Sequence, residues 1–249
     1  MSDRVVLCMK WGTLYSAEYV NVLASAVREH LAGPYRFVCL TDDAAGLDEG
    51  IDVHPIPDIG LAHEHWYSGA WPKVALLDHK LYGLTGRALF IDLDSVILGD
   101  LGGFFEIPGP LVAINSGAWV GELPRLMSSV FAFDIGVLGH VVDALRGDRN
   151  AIVARHGLEQ AYLHAAVPDA AFWPEGWVIS FKRHLRRPPL LDRFLPPCVP
   201  PSDARFIAFH GQPRPMDLVR GGRWARFPRA GSGSVGWMRD YWLRHGGQV

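Results

Sequence analysis

Paired cysteine is missing from this chain. Its three cysteines, Cys8, Cys39 and Cys198, stand far apart, are odd in number and form no C-x-x-C pair. A disulfide framework and a cysteine zinc site are therefore excluded, and the usage suits a reducing compartment. A basic excess is also missing. Lys and Arg total 24 against 26 Asp and Glu, a net charge of -2. With no surplus of cations to neutralise phosphates along a duplex or single strand, nucleic-acid binding is not expected. No run approaches the roughly 20 apolar residues that cross a bilayer, and Met1-Ser2-Asp3-Arg4 lacks the apolar stretch of a signal peptide. These readings predict a cytoplasmic protein without a transmembrane segment. No repeat and no linker between two folding units is visible.

What the chain does have is ordinary globular composition. Of its 249 residues, 49% are hydrophobic and 20% charged, enough to bury a sizeable core in one large domain. Nine tryptophans supply core volume, and such rings also suit sugar faces and base stacking. The run Lys182-Arg183-His184-Leu185-Arg186-Arg187 is the only dense basic stretch. It reads either as a solvated loop or as an anion site.

The order of elements points to an α/β sheet. Arg4 to Cys8 reads as a buried strand. Ser16 to Leu31 reads as a helix, with Tyr19, Leu23, Val27 and Leu31 on one face and Gly33-Pro34 as its stop. Strands are expected at Phe37–Leu40 and Val53–Ile56, and a helix at Pro72–Tyr82 with proline at its start. Ala88 to Ile91 is then a clean apolar strand. This alternation predicts a sheet with covered faces. Further on, strands are expected at Leu111–Ile114, Phe131–Leu138, Trp177–Phe181 and Arg205–Phe209, and helices at Val141–Arg146 and Leu158–Ala166. Residues 1–219 are assigned to one catalytic domain. Residues 220–249 are assigned to a tail rich in Gly, Arg and Trp, read as a flexible lid ending in a short helix.

The apolar strand ends in Asp92-Leu93-Asp94. Residues i and i+2 of a strand share a face, and in an open α/β sheet the carboxyl ends of strands border the ligand crevice. Two carboxylates there repel unless a cation lies between them, and a divalent ion shared with diphosphate oxygens meets that need. A turn or helix cap is the plainer alternative.

Leu89-Phe90-Ile91-Asp92-Leu93-Asp94-Ser95-Val96-Ile97 resembles the signature of GT-A glycosyltransferases, particularly family 8. The resemblance implies a Rossmann-like mixed sheet flanked by helices, a nucleoside-diphosphate sugar donor (UDP-sugar above all), and Mn2+ or Mg2+ as cofactor. It implies a saccharide, lipid or protein acceptor. Asp92 is then expected to meet ribose and metal, and Asp94 to hold the metal. Trp71-Pro72-Lys73 resembles the helix start that brings a basic residue to the donor. Lys73 reads as a phosphate or ribose contact, or else as an exposed first-turn lysine. Phe209-His210-Gly211-Gln212-Pro213-Arg214-Pro215 resembles the late His-Gly element, with a compressed spacing and Arg214 in place of lysine. It implies His210 as a third metal ligand and Arg214 as a diphosphate contact. Val5 to Trp11 and then Tyr15 resemble the start of a nucleotide pocket, so Trp11 and Tyr15 are candidates for stacking on the base or for packing under the loop. Thr41-Asp42-Asp43 borders the same crevice or simply makes a turn.

Phe133-Asp134-Ile135-Gly136-Val137 resembles the Phe-Asn-x-Gly-Val element lining the donor sugar, which makes Asp134 a candidate there. Glu159-Gln160 resembles the acidic-Gln pair near the reacting carbon, which makes Glu159 a candidate base or a contact to sugar hydroxyls. Lys182 is a candidate for phosphate or acceptor. Two rival readings remain open. Ile91-Asp92-Leu93-Asp94-Ser95-Val96 is also similar to the first motif of haloacid-dehalogenase-like phosphatases, although that motif normally opens its domain. A protein that binds nucleotide sugars without turning them over is the second rival.

Overall fold

A computed structural model describes residues 3–189, 191–225 and 229–249. In chain order the first half comprises β1 (Arg4–Lys10), α1 (Ala17–His30), β2 (Arg36–Thr41), β3 (Asp52–His54), α2 (His63–Tyr67), a 3-10 helix (Trp71–Leu77), β4 (Arg87–Ile91), β5 (Val96–Ile97) and β6 (Leu111–Asn115). The second half comprises β7 (Leu126–Asp134), α3 (Gly139–Gly147), α4 (Arg149–His156), α5 (Glu159–Ala166), β8 (Ala171–Phe172), β9 (Val178–Ser180), β10 (Phe206–Ala208), α6 (Pro215–Arg220) and α7 (Gly236–Arg244).

Seven strands form one mixed sheet in the order β3-β2-β1-β4-β7-β6-β8. All run the same way except β7, which is antiparallel to both β4 and β6. β1, β4 and β7 are covered on both faces, which is why they read as near-continuous apolar runs rather than alternating ones. One face packs on α1 and the late elements, the other on the 3-10 helix, α3 and α5. A second, three-stranded sheet, β5-β10-β9, follows the Asp92-Leu93-Asp94 corner. It places the end of β10 against the crevice at the carboxyl ends of β1 and β4.

Several expected elements differ. The helix expected over 72–82 is a single 3-10 segment, Trp71–Leu77, wholly buried. The strand expected at 131–138 begins at Leu126 and ends at Asp134. Its first half carries Ser128-Ser129, polar residues that mask a strand in the sequence but are themselves buried. Helix α4 has no buried residue, so it offers no apolar face to read. The basic run 182–187 is only partly solvated: Arg183 and His184 are exposed, but the Arg186 side chain is covered, pairs with Asp192 and lies over the Trp224 ring.

The tail also differs. Three of its residues, 226–228, lie outside the described ones. The expected short terminal helix exists as α7, and it is part of the core rather than of a flap. Val235, Met238 and Trp242 join the buried cluster that includes Val6 and Val27. The Trp242 ring meets Tyr19 edge-on at 4.9 Å, and its Nε1 donates to Glu18 at 3.0 Å. The Ile97 amide donates to the Tyr241 hydroxyl at 3.2 Å. Truncating Trp242 to alanine is therefore expected to cost about 3–5 kcal/mol in denaturant unfolding, the usual penalty for emptying a core aromatic site. A loss near zero would mean that α7 is not docked.

Candidate active site

A cavity of about 870 Å³ opens where the carboxyl ends of β1 and β4 meet the amino end of β7. Each wall has a structural cause. Because β7 runs against β4, the ladder that pairs Ile91 with Val130 continues as Asp92 N–H donating to the Ser129 carbonyl at 2.8 Å. Ser128 and Ser129 therefore stand beside the two aspartates. The 3-10 helix carries Lys73 beneath them, and α5 presents Glu159 and Gln160 from its first turn. The loop after β1 contributes Trp11 and Tyr15, and the segment after β10 contributes His210, Gly211 and Arg214.

Charge dominates the floor. The Lys73 ammonium lies 2.6 Å from Asp92 Oδ1 and 2.8 Å from Oδ2. It is buried, not an exposed first-turn lysine. Burial works to deprotonate it, but Asp92 and Glu159 outweigh burial and hold its proton above the usual lysine range. Burial raises the Asp92 carboxyl despite Lys73. Burial likewise raises Glu159, against Lys73 and the hydrogen bond donated by the Ser128 hydroxyl. Asp94 is pushed up to about 7, first by burial and then by the negative charge of Asp92. Its partner is the Tyr15 hydroxyl, which donates to Oδ2 at 2.8 Å. Buried Asp94 and Glu159 and half-buried Asp92 thus share one buried ammonium, an imbalance relieved by proton uptake or by further positive charge.

The opposite wall is neutral to basic. His210 Nε2 lies 2.7 Å from the Ser180 hydroxyl. Burial, and then the nearby Lys182, lower its pKa to about 4, leaving a neutral imidazole. Lys182 sits in the turn after β9, beside Gly211, with its own proton loosened by burial and by Arg186 and Arg183. The Arg214 guanidinium lies 5.6 Å from the centre of the Tyr15 ring.

Of the residues singled out by sequence, Trp11, Tyr15, Lys73, Asp92, Asp94, Glu159, His210 and Arg214 line this cavity, and Lys182 borders it. Two aromatic side chains are already engaged. Tyr15 bonds Asp94, and Trp11 Nε1 donates to the Trp66 carbonyl at 2.6 Å. Thr41-Asp42-Asp43 makes a turn, with the Thr41 hydroxyl bonded to the Asp43 backbone and Asp42 accepting from Gly12. The ligand atoms of Asp92, Asp94 and His210 face one cavity without being gathered as a trio within 4.8 Å.

Asp134 requires a correction. It stands at the far end of β7, half-exposed, opposite Arg87 and 3.3 Å from its guanidinium. The five-residue ladder between it and Asp92 places it roughly 15 Å or more from the crevice. The strand's reversal is the reason: its amino end, not its carboxyl end, faces the cavity. Ser128 and Ser129 line the cavity instead, and their only signal in the sequence is a polar pair inside an apolar run. Asp134→Asn is expected to leave activity and donor binding within about twofold of the native protein, as surface changes away from a site do. A tenfold loss in a turnover assay would restore Asp134 to the site.

No protein-family model matches the chain, and no curated protein matches it in sequence. Solved structures do match its fold. The galactosyltransferase LgtC in complex with donor and acceptor sugar analogues superposes with a TM-score of 0.59 at 13% identity, over 97% of this chain and 95% of that one. The apo bifunctional glycosyltransferase WbbM gives 0.62 at 13% identity, covering 98% of this chain and 50% of that one. The glycosyltransferase GlyE of Streptococcus pneumoniae TIGR4 gives 0.58 at 13%, covering 99% and 62%. The chain thus spans half the WbbM chain and under two thirds of the GlyE chain, and nearly all of LgtC. The fold is the GT-A glycosyltransferase fold.

Proposed function

We propose that this protein is a glycosyltransferase that moves a sugar from a nucleoside-diphosphate donor, UDP-sugar by resemblance, to an acceptor hydroxyl. The observation that carries the proposal is the charge set Asp92, Asp94 and Glu159 against Lys73, all but Asp92 buried, at the carboxyl ends of strands in the crevice of this fold. A divalent cation fits that donor set. Among the described residues Asp94 makes no ion pair, and Asp92 repels it more than Lys73 relieves it, while His210 offers a neutral imidazole across the cavity. Carboxylates with one imidazole suit Mn2+ somewhat better than Mg2+. When bound, such an ion supplies charge neutralisation for the departing diphosphate.

The chain's own residues divide the remaining work. Lys73 holds Asp92 in place and keeps the floor from ejecting its carboxylates. Arg214 and Lys182, on the opposite wall, supply positive charge to diphosphate oxygens, where fixed cations stabilise developing charge. Tyr15 orients Asp94 through its hydroxyl. Glu159 is sunk beside Ser128 and Lys73, on the donor side of the cavity, which favours a contact to donor-sugar hydroxyls over a base reaching the acceptor.

The phosphatase reading rests on Asp-x-Asp alone, and here that motif sits in a GT-A sheet behind ninety residues of the same domain. The experiment is release of UDP from a panel of UDP-sugars with Mn2+, with and without candidate acceptors, beside hydrolysis of p-nitrophenyl phosphate. UDP release without phosphate-ester hydrolysis supports the transferase. The reverse pattern overturns it, and UDP binding with no release favours a non-catalytic binder.

A further inference from the structure

Away from the cavity, the ends of α1 and α7 meet in a cluster that the proposed reaction does not use. Glu29 and His30 close α1, and His245 follows α7. One ligand atom from each, a carboxylate oxygen and two imidazole nitrogens, can be chosen so that all lie within 4.8 Å of one another. His30 Nε2 is 3.9 Å from Glu29 Oε1, and His245 Nδ1 is 3.9 Å from Glu29 Oε2. Both gaps exceed a hydrogen bond. They are close to the separation of neighbouring ligands around one small cation, whose bonds are about 2.0–2.2 Å each. We propose that Glu29, His30 and His245 form a zinc site that fastens the last helix to α1.

Three further observations support it. The His245 side chain is 3% exposed, sunk where the two helix ends meet. The Tyr241 ring meets the imidazole edge-on at 4.5 Å and fixes its orientation. Both helices present their carboxyl ends here, where the carbonyl dipoles favour positive charge. Two imidazoles with one carboxylate suit zinc rather than magnesium or calcium. The partly open side, where Glu29 and His30 reach solvent, admits a water as fourth ligand. Arg244, largely exposed, pairs with Glu29 and is the competitor that the ion displaces. The fourteen residues of α1 separate this cluster from Tyr15 by roughly 20 Å at 1.5 Å per residue, so the two sites can be tested separately.

The test is calorimetric titration of the chelator-treated full-length protein with zinc chloride, paired with melting curves with and without zinc. One zinc equivalent is expected that survives Asp94→Asn and weakens at least about tenfold in His245→Gln and in His30→Gln, since even changes to groups that only support a ligand cost that much. Arg244→Ala is expected to tighten it, because a nearby positive charge and a rival for Glu29 are both removed. If His245→Gln fails to fold, His30→Gln, whose side chain is partly exposed, carries the test. Zinc affinity unchanged in His30→Gln, or no zinc bound once Asp94 is neutralised, overturns the proposal.

Discussion

Replacing Lys73 with methionine is expected to lower stability by about 3–5 kcal/mol, the cost of removing one partner from a buried ion pair and leaving the other uncompensated. The expectation follows from placement. Lys73 is held on a buried 3-10 turn with both Asp92 oxygens within 2.8 Å, and Glu159 draws on the same charge. Methionine fills similar volume without the ammonium, so packing changes little and the electrostatic term stands out. For a chain of this size the melting temperature should fall by roughly 10 °C, at 2–4 °C per kcal/mol. Lys73→Met with Asp92→Asn should cost less than the sum of the two single changes, because each removes the other's partner. Additive losses, or a single loss below about 1 kcal/mol, would show that Lys73 is not the counter-ion of the floor.

Asp94→Asn should act in opposite directions on two measurements. In metal-free buffer the variant should melt higher than the native protein. It removes a carboxylate that burial and Asp92 have pushed up to about 7, while the amide oxygen still accepts the Tyr15 hydroxyl. Relief of each kcal/mol should raise the melting temperature by roughly 2–4 °C. With Mn2+ and UDP the order should reverse. The native protein gains stability by binding, and the variant, short of a ligand charge, loses at least about a hundredfold in metal-dependent affinity, a change of nearly 3 kcal/mol. A variant that melts lower without metal would mean that Asp94 is stabilising in its own right, as a turn or cap residue is.

The residues that were legible in the sequence are those whose role is local. β1, β4 and α1 announce themselves by apolar runs and a four-residue period, and Asp92-Leu93-Asp94 follows a strand directly, so its place at the crevice could be read in advance. Lys73, Glu159, His210 and Arg214 were legible as candidates because they stand in short segments with recognisable neighbours. What could not be read is strand direction. Nothing in Leu126–Asp134 says that it runs antiparallel to β4, and that single fact moves Asp134 out of the crevice and Ser128-Ser129 in. The docking of the terminal helix is hidden for a related reason. Trp242 is buried only because Tyr19 and Glu18, more than two hundred residues earlier, meet it, and a Gly- and Arg-rich sequence gives no hint of that contact. The short 3-10 helix at Trp71–Leu77 is indistinguishable from a longer α-helix in the sequence, because its apolar spacing fits both periods over so few residues.

Thermal stabilisation by a panel of nucleotides, with and without Mn2+, tests the proposed donor site with no knowledge of the acceptor. A ligand that binds only the folded state raises the melting temperature as its concentration exceeds its dissociation constant. The account predicts a rise with UDP or a UDP-sugar that requires Mn2+ and disappears in Asp94→Asn. No rise with any nucleoside diphosphate, or a rise that is indifferent to Mn2+ and to Asp94, would contradict it.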